Sequence, residues 1–243
     1  PLPELAARPA TAMPAAGDFV LTDASGDEMP WQQTYDGKLA FFAKGVPAKG
    51  YKAFFVNAGI KADTAPTVAV DGATVDTAFF TARFDADMNI ADLLHKASGR
   101  SVAPEGEALN RLIAFEDRPY NHDAWNVDCY FDEKSMPVND VASSELIENG
   151  PVRAVWKVVR RFMTSVIEQR FVFYRALDRI DVEYTVDWKE KNLLLKADYP
   201  VDVNAVSATF DIQFGNLQRT THNNTLWDYA QFEVVGHKWA DLS

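Results

Sequence analysis

The stretch Phe115-Glu116-Asp117-Arg118-Pro119-Tyr120-Asn121-His122-Asp123-Ala124-Trp125-Asn126-Val127-Asp128 interleaves aromatic rings with short polar side chains. That composition suits a sugar, because rings stack on the apolar faces of a pyranose while Asp and Asn side chains bond its hydroxyls. Tyr120, Asn121, Asp123 and Trp125 are the candidate substrate-binding residues. The same residues also suit a loop stapled to its domain, with Tyr120 and Trp125 as core aromatics. A similar mixture recurs at Thr221-His222-Asn223-Asn224-Thr225-Leu226-Trp227-Asp228-Tyr229.

Other chemistries find less support. The four histidines, His95, His122, His222 and His237, are isolated in sequence, with neither an HExxH pair nor an EF-hand loop, so no metal ligand set is expected in this chain. No GxSxG elbow is present, and Cys129 reads as a buried small hydrophobe rather than a catalytic thiol. Paired carboxylates for glycoside hydrolysis cannot be chosen among 35 acids without geometry. As the only cysteine, Cys129 allows no intrachain disulfide and points to a reducing, cytoplasmic compartment.

The chain has 243 residues, with 24 Lys and Arg against 35 Asp and Glu, a net charge of −11. That balance argues against nucleic acid as a partner, since neutralising phosphates needs clustered positive charge. A hydrophobic share of 47% and an aromatic share of 12% allow a sizeable core. Apolar runs such as Leu193-Leu194-Leu195 fall far short of the ~20 residues that span a bilayer, so no membrane helix is expected. The chain opens at Pro1 without an initiator Met and stops at Leu242-Ser243 after a strand-like stretch, which reads as a piece of something longer.

The elements that must carry these residues are strands. The proline-rich stretch from Pro1 to Pro14 reads as an extended lead-in, because proline interrupts a ladder. Strands are expected at Asp18 to Thr22, Leu39 to Ala43 and Tyr51 to Val56, with Asp36-Gly37 as a hairpin signal. Further on, Ile180, Val182, Tyr184, Val186 and Trp188 alternate with Asp181, Glu183, Thr185 and Asp187, one face for a core and one for water. Val152 to Phe162 and Ile167 to Tyr174 are rich in Val, Phe and Trp, and the short link Leu177-Asp178-Arg179 suggests antiparallel neighbours. Ala208, Phe210, Ile212 and Phe214 alternate up to Gly215, and Ile90 to Lys96 fits either a strand or a short helical turn. The expectation is an all-β protein: a small β-sandwich domain over 1–66, then a larger antiparallel β supersandwich over 67–243, truncated at its C-terminus.

Four stretches carry a family resemblance: FEDRPYNHDAWNVD at 115–128, ENGPVRAVWKVVRRF at 148–162, LLLKADYPVDV at 193–203 and DIQFGNLQRTTHNNTLWDYAQFEVVGHKWADLS at 211–243. In order and spacing they resemble the C-terminal β region of bacterial α-mannosidases of glycoside hydrolase family 38, from about Phe84 onward. The resemblance implies a galactose-mutarotase-like supersandwich preceded by a smaller β domain. It implies a retaining α-mannosidase as the parent, acting on mannose-containing oligosaccharides. Its N-terminal catalytic barrel and helical bundle supply the Asp nucleophile, the acid and the zinc ligands. None of those segments lies within Pro1 to Ser243, so the chain alone is expected to be inactive and to hold no zinc. The β region of family members packs on the barrel and lends an aromatic contact to the mannose site; the matching position here is Trp125, with Asp123 beside it.

Two other readings compete. A non-catalytic carbohydrate-binding module would present coplanar exposed rings and bind mannosides by itself, whereas a scaffold would show a large apolar patch where other domains dock. A mutarotase or epimerase needs a His and a carboxylate converging in a cleft; His122 and Asp123 are neighbours and would point to opposite faces of a strand. A homo-oligomer is compatible with the sequence.

Overall fold

The computed structural model describes residues 19–59, 65–123 and 125–242. The lead-in from Pro1 to Pro14 and most of the Lys61 to Pro66 segment lie outside them. Among the described residues the protein is built almost wholly of antiparallel strands, and its one α-helix is the single turn Leu226–Tyr229.

The N-terminal part sets strand Phe19–Asp23 between Glu28–Met29 and Phe54–Ala58, beside the hairpin Trp31–Gln33/Leu39–Phe41. Its small core is Phe19, Leu21 and Trp31, with the Phe19 and Trp31 rings stacked at 4.1 Å. The hairpin turns at Asp36-Gly37 as expected, and Gly37 takes a left-handed φ of 79° that favours glycine. Thr34 Oγ1 donates to Asp36 Oδ1 at 2.5 Å and Lys38 Nζ lies 2.6 Å from Oδ2. Lys38, and then Thr34, hold the Asp36 carboxyl down at about 2. The folded value is depressed, so this contribution is present above the unfolded value of ~3.9 and is lost as pH falls through the folded one. An NMR titration of Asp36 in the folded chain is expected to show that low midpoint; the unperturbed carboxylate value would refute the pairing.

The larger part is organised around a four-stranded sheet ordered Asp140–Asn149, Arg153–Phe162, Ser165–Tyr174, Ile180–Asp187. Its inner face packs on a five-stranded sheet ordered Arg100–Ser101, Ile90–His95, Phe80–Phe84, Thr74–Asp76, Ala69–Asp71. Val75, Ala82, Phe84, Ile90 and Leu93 meet Ala154, Val158, Phe171 and Phe173 there. Each fully buried Val or Phe contributes about 1.5–3 kcal/mol by removal from water. A three-stranded sheet ordered Ser135–Pro137, Arg111–Glu116, Leu193–Asp198 closes the other end, where Leu112, Ala114 and Val138 pack with Phe162 and Ile167.

Between these two apolar clusters the inner face turns polar. Period two puts Arg160 in line with Ala154 and Val158, and Gln169 in line with Phe171, and both side chains are fully buried. Arg160 Nε donates to Gln169 Oε1 at 2.5 Å, and its terminal nitrogens donate to Met88 O at 3.0 Å and Val138 O at 3.3 Å. Asn110 accepts from the hydroxyls of Tyr184 and Tyr199. Burial pushes the Tyr184 phenol up, and Tyr199 reinforces that.

Two strand expectations need correction. Ile180–Asp187 does form, with Ile180 and Val182 packed on the core, but Tyr184 and Val186 are partly exposed, because among the described residues the apolar cluster under this edge strand reaches only its first half. The alternation ending in Phe214 stops at Ile212, since Ile212 pairs with Gly215 and Phe214 sits in the connecting turn at φ 61°. Ile90–His95 resolves as a strand. A last sheet, ordered Gly215–Thr220, Ser207–Ile212, Ala240–Asp241, completes the described chain.

Candidate functional site

The 115–128 stretch leaves strand Arg111–Glu116 and returns through a 3-10 turn at Phe131–Glu133 to Ser135–Pro137. Its base is firmly tied. Glu116 N donates to Lys134 O at 3.0 Å and Asp117 N to Asn192 O at 2.9 Å. Phe131 is buried against Phe115, edge to face at 5.4 Å, with Lys196 Nζ 4.4 Å from its ring centroid.

Beyond the base, the loop closes on itself. Asp128 Oδ2 accepts from Tyr120 N at 2.7 Å and from the Tyr130 hydroxyl at 2.6 Å. Tyr130, and then Tyr120, hold the Asp128 carboxyl below the usual carboxylate range. His122 takes a left-handed φ of 62°, and its carbonyl accepts from Trp125 N and Asn126 N at 3.0 Å each. Asn126 Nδ2 reaches Asn121 O at 3.3 Å.

All four residues named from the sequence ride on this loop. Tyr120 is 89% exposed and Trp125 86%, and Asn121 and Asp123 are exposed too. The readings of Tyr120 and Trp125 as core aromatics and of Cys129 as a buried hydrophobe are therefore overturned: all three are exposed, and Pro119 and Phe131 are the residues that go inward. The loop can offer ring faces flanked by amide and carboxylate groups, which is what a pyranose would need. Asp128 and Tyr130 were not singled out by sequence reasoning. Their only signal was a short acid within the aromatic stretch, with no periodicity to link it to Tyr120.

The second aromatic stretch behaves similarly. Thr225 caps the turn Leu226–Tyr229, its Oγ1 accepting from Asp228 N at 3.1 Å while Asp228 Oδ2 accepts from Thr225 N at 3.2 Å. Leu226, Trp227 and Tyr229 are exposed, as are Val206, Phe214, Val235 and Trp239. Within Val203–Leu242 only Ala208 is buried.

The histidines do not converge. His95 Nε2 lies 3.3 Å from Asp178 and His222 Nδ1 3.7 Å from Asp228, while His122 and Asp123 sit together in an exposed bend rather than a cleft. Among the described residues no three His, Cys, Asp or Glu side chains are grouped so as to hold a metal ion. Among the described residues, then, the zinc implied by the family resemblance finds no fitting donor set.

The profile of the family described as "Glycosyl hydrolases family 38 C-terminal domain" matches residues 75–243. "Alpha-mannosidase G" of Dictyostelium discoideum is 36% identical over 175 residues, covering 70% of this chain and 16% of that protein. "Alpha-mannosidase 2C1" of Mus musculus is 35% identical over 172 residues, covering 70% of this chain and 17% of that protein. The chain thus spans about a sixth of the length of these relatives. A crystal structure of an alpha-mannosidase from Enterococcus faecalis V583 superposes with a TM-score of 0.63 at 11% identity, over 89% of this chain and 30% of that one, and shares its fold. These relatives are eukaryotic and the bacterial structure shares only the fold, so the expected bacterial character is not shown. The all-β architecture and the match over 75–243 agree: the chain belongs to glycoside hydrolase family 38 and contains that family's C-terminal domain.

Proposed function

We propose that this chain is the β portion of a retaining α-mannosidase, supporting a catalytic barrel and helical bundle and lining part of the mannose site with Tyr120, Asn121, Asp123 and Trp125. The observation that carries this reading is the surface of Val203–Leu242. A segment that leaves Phe214, Leu226, Trp227 and Val235 in water and buries only Ala208 has the character of a docking face. The substrate is a mannose-containing oligosaccharide, for which a net charge of −11 is no handicap, because a neutral sugar needs no steering field. Zinc belongs to the parent enzyme outside this chain, the two β domains divide near residue 66, and the compartment is the cytoplasm.

The test is release of nitrophenol from 4-nitrophenyl α-mannoside with added zinc. The purified chain is expected to give none, and turnover by the chain alone would overturn the proposal. The competing reading, a carbohydrate-binding module, is not favoured by the family match over 75–243, though the rings of Tyr120 and Trp125 are exposed. Calorimetric titration with mannobiose separates the two, since a module binds it unaided and a scaffold does not.

A further inference from the structure

We infer that Asp128 is a positioning residue for the mannose-contacting loop, clasping the backbone at Tyr120 to the Tyr130 hydroxyl so that Tyr120 and Trp125 are presented in one fixed arrangement. This rests on the proposed role of the loop in the mannose site. Rings as exposed as Tyr120 and Trp125 gain little orientation from packing, so the backbone beneath them must set where they point. That backbone is held by few ties. The His122 carbonyl gathers Trp125 N and Asn126 N into a tight bend. The bend is closed against the rest of the loop by Asp128, whose Oδ2 takes both Tyr120 N and the Tyr130 hydroxyl. Asp128 O in turn accepts from Phe131 N at 3.0 Å, which joins the clasp to the ring buried under the loop. Bonds to an ionised acceptor are stronger than neutral ones, which favours a carboxylate over an amide at this position. Neither Asp128 nor Tyr130 belongs to the apolar clusters between the sheets, so opening the clasp moves the rings without removing a part of those clusters.

The experiment compares Asp128→Ala, Asp128→Asn, Trp125→Ala and the double variant Asp128→Ala/Trp125→Ala in the full-length α-mannosidase, using 4-nitrophenyl α-mannoside. Thermal melts and amide exchange at Tyr120 are measured alongside. Asp128→Ala is expected to raise KM about 5- to 10-fold with kcat changed less. Its melt should be unchanged and Tyr120 amide exchange faster. Asp128→Asn should recover part of the KM. The double variant should be no worse than Trp125→Ala, because Asp128 acts through the rings. Wild-type kinetics for Asp128→Ala beside an impaired Trp125→Ala would overturn the positioning role and leave the loop in the site. Wild-type kinetics for both would remove the loop from the site and the positioning role with it. A lowered melt with additive kinetic losses would make Asp128 merely structural and overturn the inference.

Discussion

Arg160→Ala is expected to lower the stability of the chain by about 3–5 kcal/mol, a large part of the 5–15 kcal/mol typical of a folded domain. The guanidinium is fully buried where the two apolar clusters of the larger part meet. It supplies donors to Gln169 Oε1, Met88 O, Val138 O and Asn89 Oδ1, the last at 3.4 Å. Truncation leaves those acceptors in the interior without water, and each buried polar group so orphaned costs about 1–3 kcal/mol. Burial pulls the guanidinium below its ordinary value, with Asp85 and Asp87 opposing, so the charge itself is a cost that the hydrogen bonds must offset. Arg160→Met separates volume from polarity: it refills the space and leaves the same acceptors unpaired. It should recover only a minor share of the loss, and Arg160→Lys, which keeps the charge but not the planar fork, should fall between. Urea unfolding followed by near-ultraviolet circular dichroism checks the series. A loss below ~1 kcal/mol for Arg160→Ala, or a fully stable Arg160→Met, would show that the polar layer is not needed.

Gln32→Ala is expected to cost about 2–4 kcal/mol and to uncouple unfolding of the N-terminal strands from the four-stranded sheet. Gln32 lies on the small hairpin, yet all of its side-chain bonds cross to the larger part. Nε2 donates to Glu148 Oε1 at 2.5 Å and to Arg153 O at 3.0 Å, while Oε1 accepts from Val152 N at 2.8 Å and Arg153 N at 2.9 Å. Glu148 is itself buried, holds Arg153 Nε at 2.8 Å and accepts from Tyr35 N at 3.1 Å. Arg170 lies over the Tyr35 ring at 5.3 Å. A Cβ at Gly150 would come within 2.6 Å of Gln32 Oε1, so Gly150 is there for the close approach. Glu148→Ala should cost a similar amount, and the double variant with Gln32→Ala less than the sum, by roughly 1–3 kcal/mol. Differential scanning calorimetry with the Trp31 region followed by fluorescence is the check. A single transition at the wild-type temperature for Gln32→Ala would dismiss the idea.

These two networks mark where sequence reading stops. Strand identity was legible because burial on one face imposes a period of two, as in Ile180 to Val186, and because a turn such as Asp36-Gly37 needs a residue that tolerates positive φ. Family membership was legible too, since the stretches from Phe115 to Ser243 keep their order and spacing. The same alternation places Arg160 and Gln169 on the inner face, but a local pattern cannot say whether an inner polar residue meets water, a partner or an opposing sheet. The partners of Gln32 lie 116 and 121 residues away in the chain, and no periodicity spans that distance.

The candidate loop divides in the same way. Its composition alone named Tyr120, Asn121, Asp123 and Trp125, because a sugar site and a well-packed loop both want rings among short polar groups. Only the folded chain showed that the two rings are not core aromatics, by sending Pro119 and Phe131 inward and leaving Tyr120 and Trp125 in water. By itself, then, the sequence determined an all-β chain of glycoside hydrolase family 38 and the segment to watch. The tertiary structure decided which aromatics are buried, that Asp128 clasps the loop, and that buried polar networks join the sheets. The reason is physical: strand periodicity is a local consequence of backbone geometry, whereas burial and polar pairing depend on what distant segments bring to the same place.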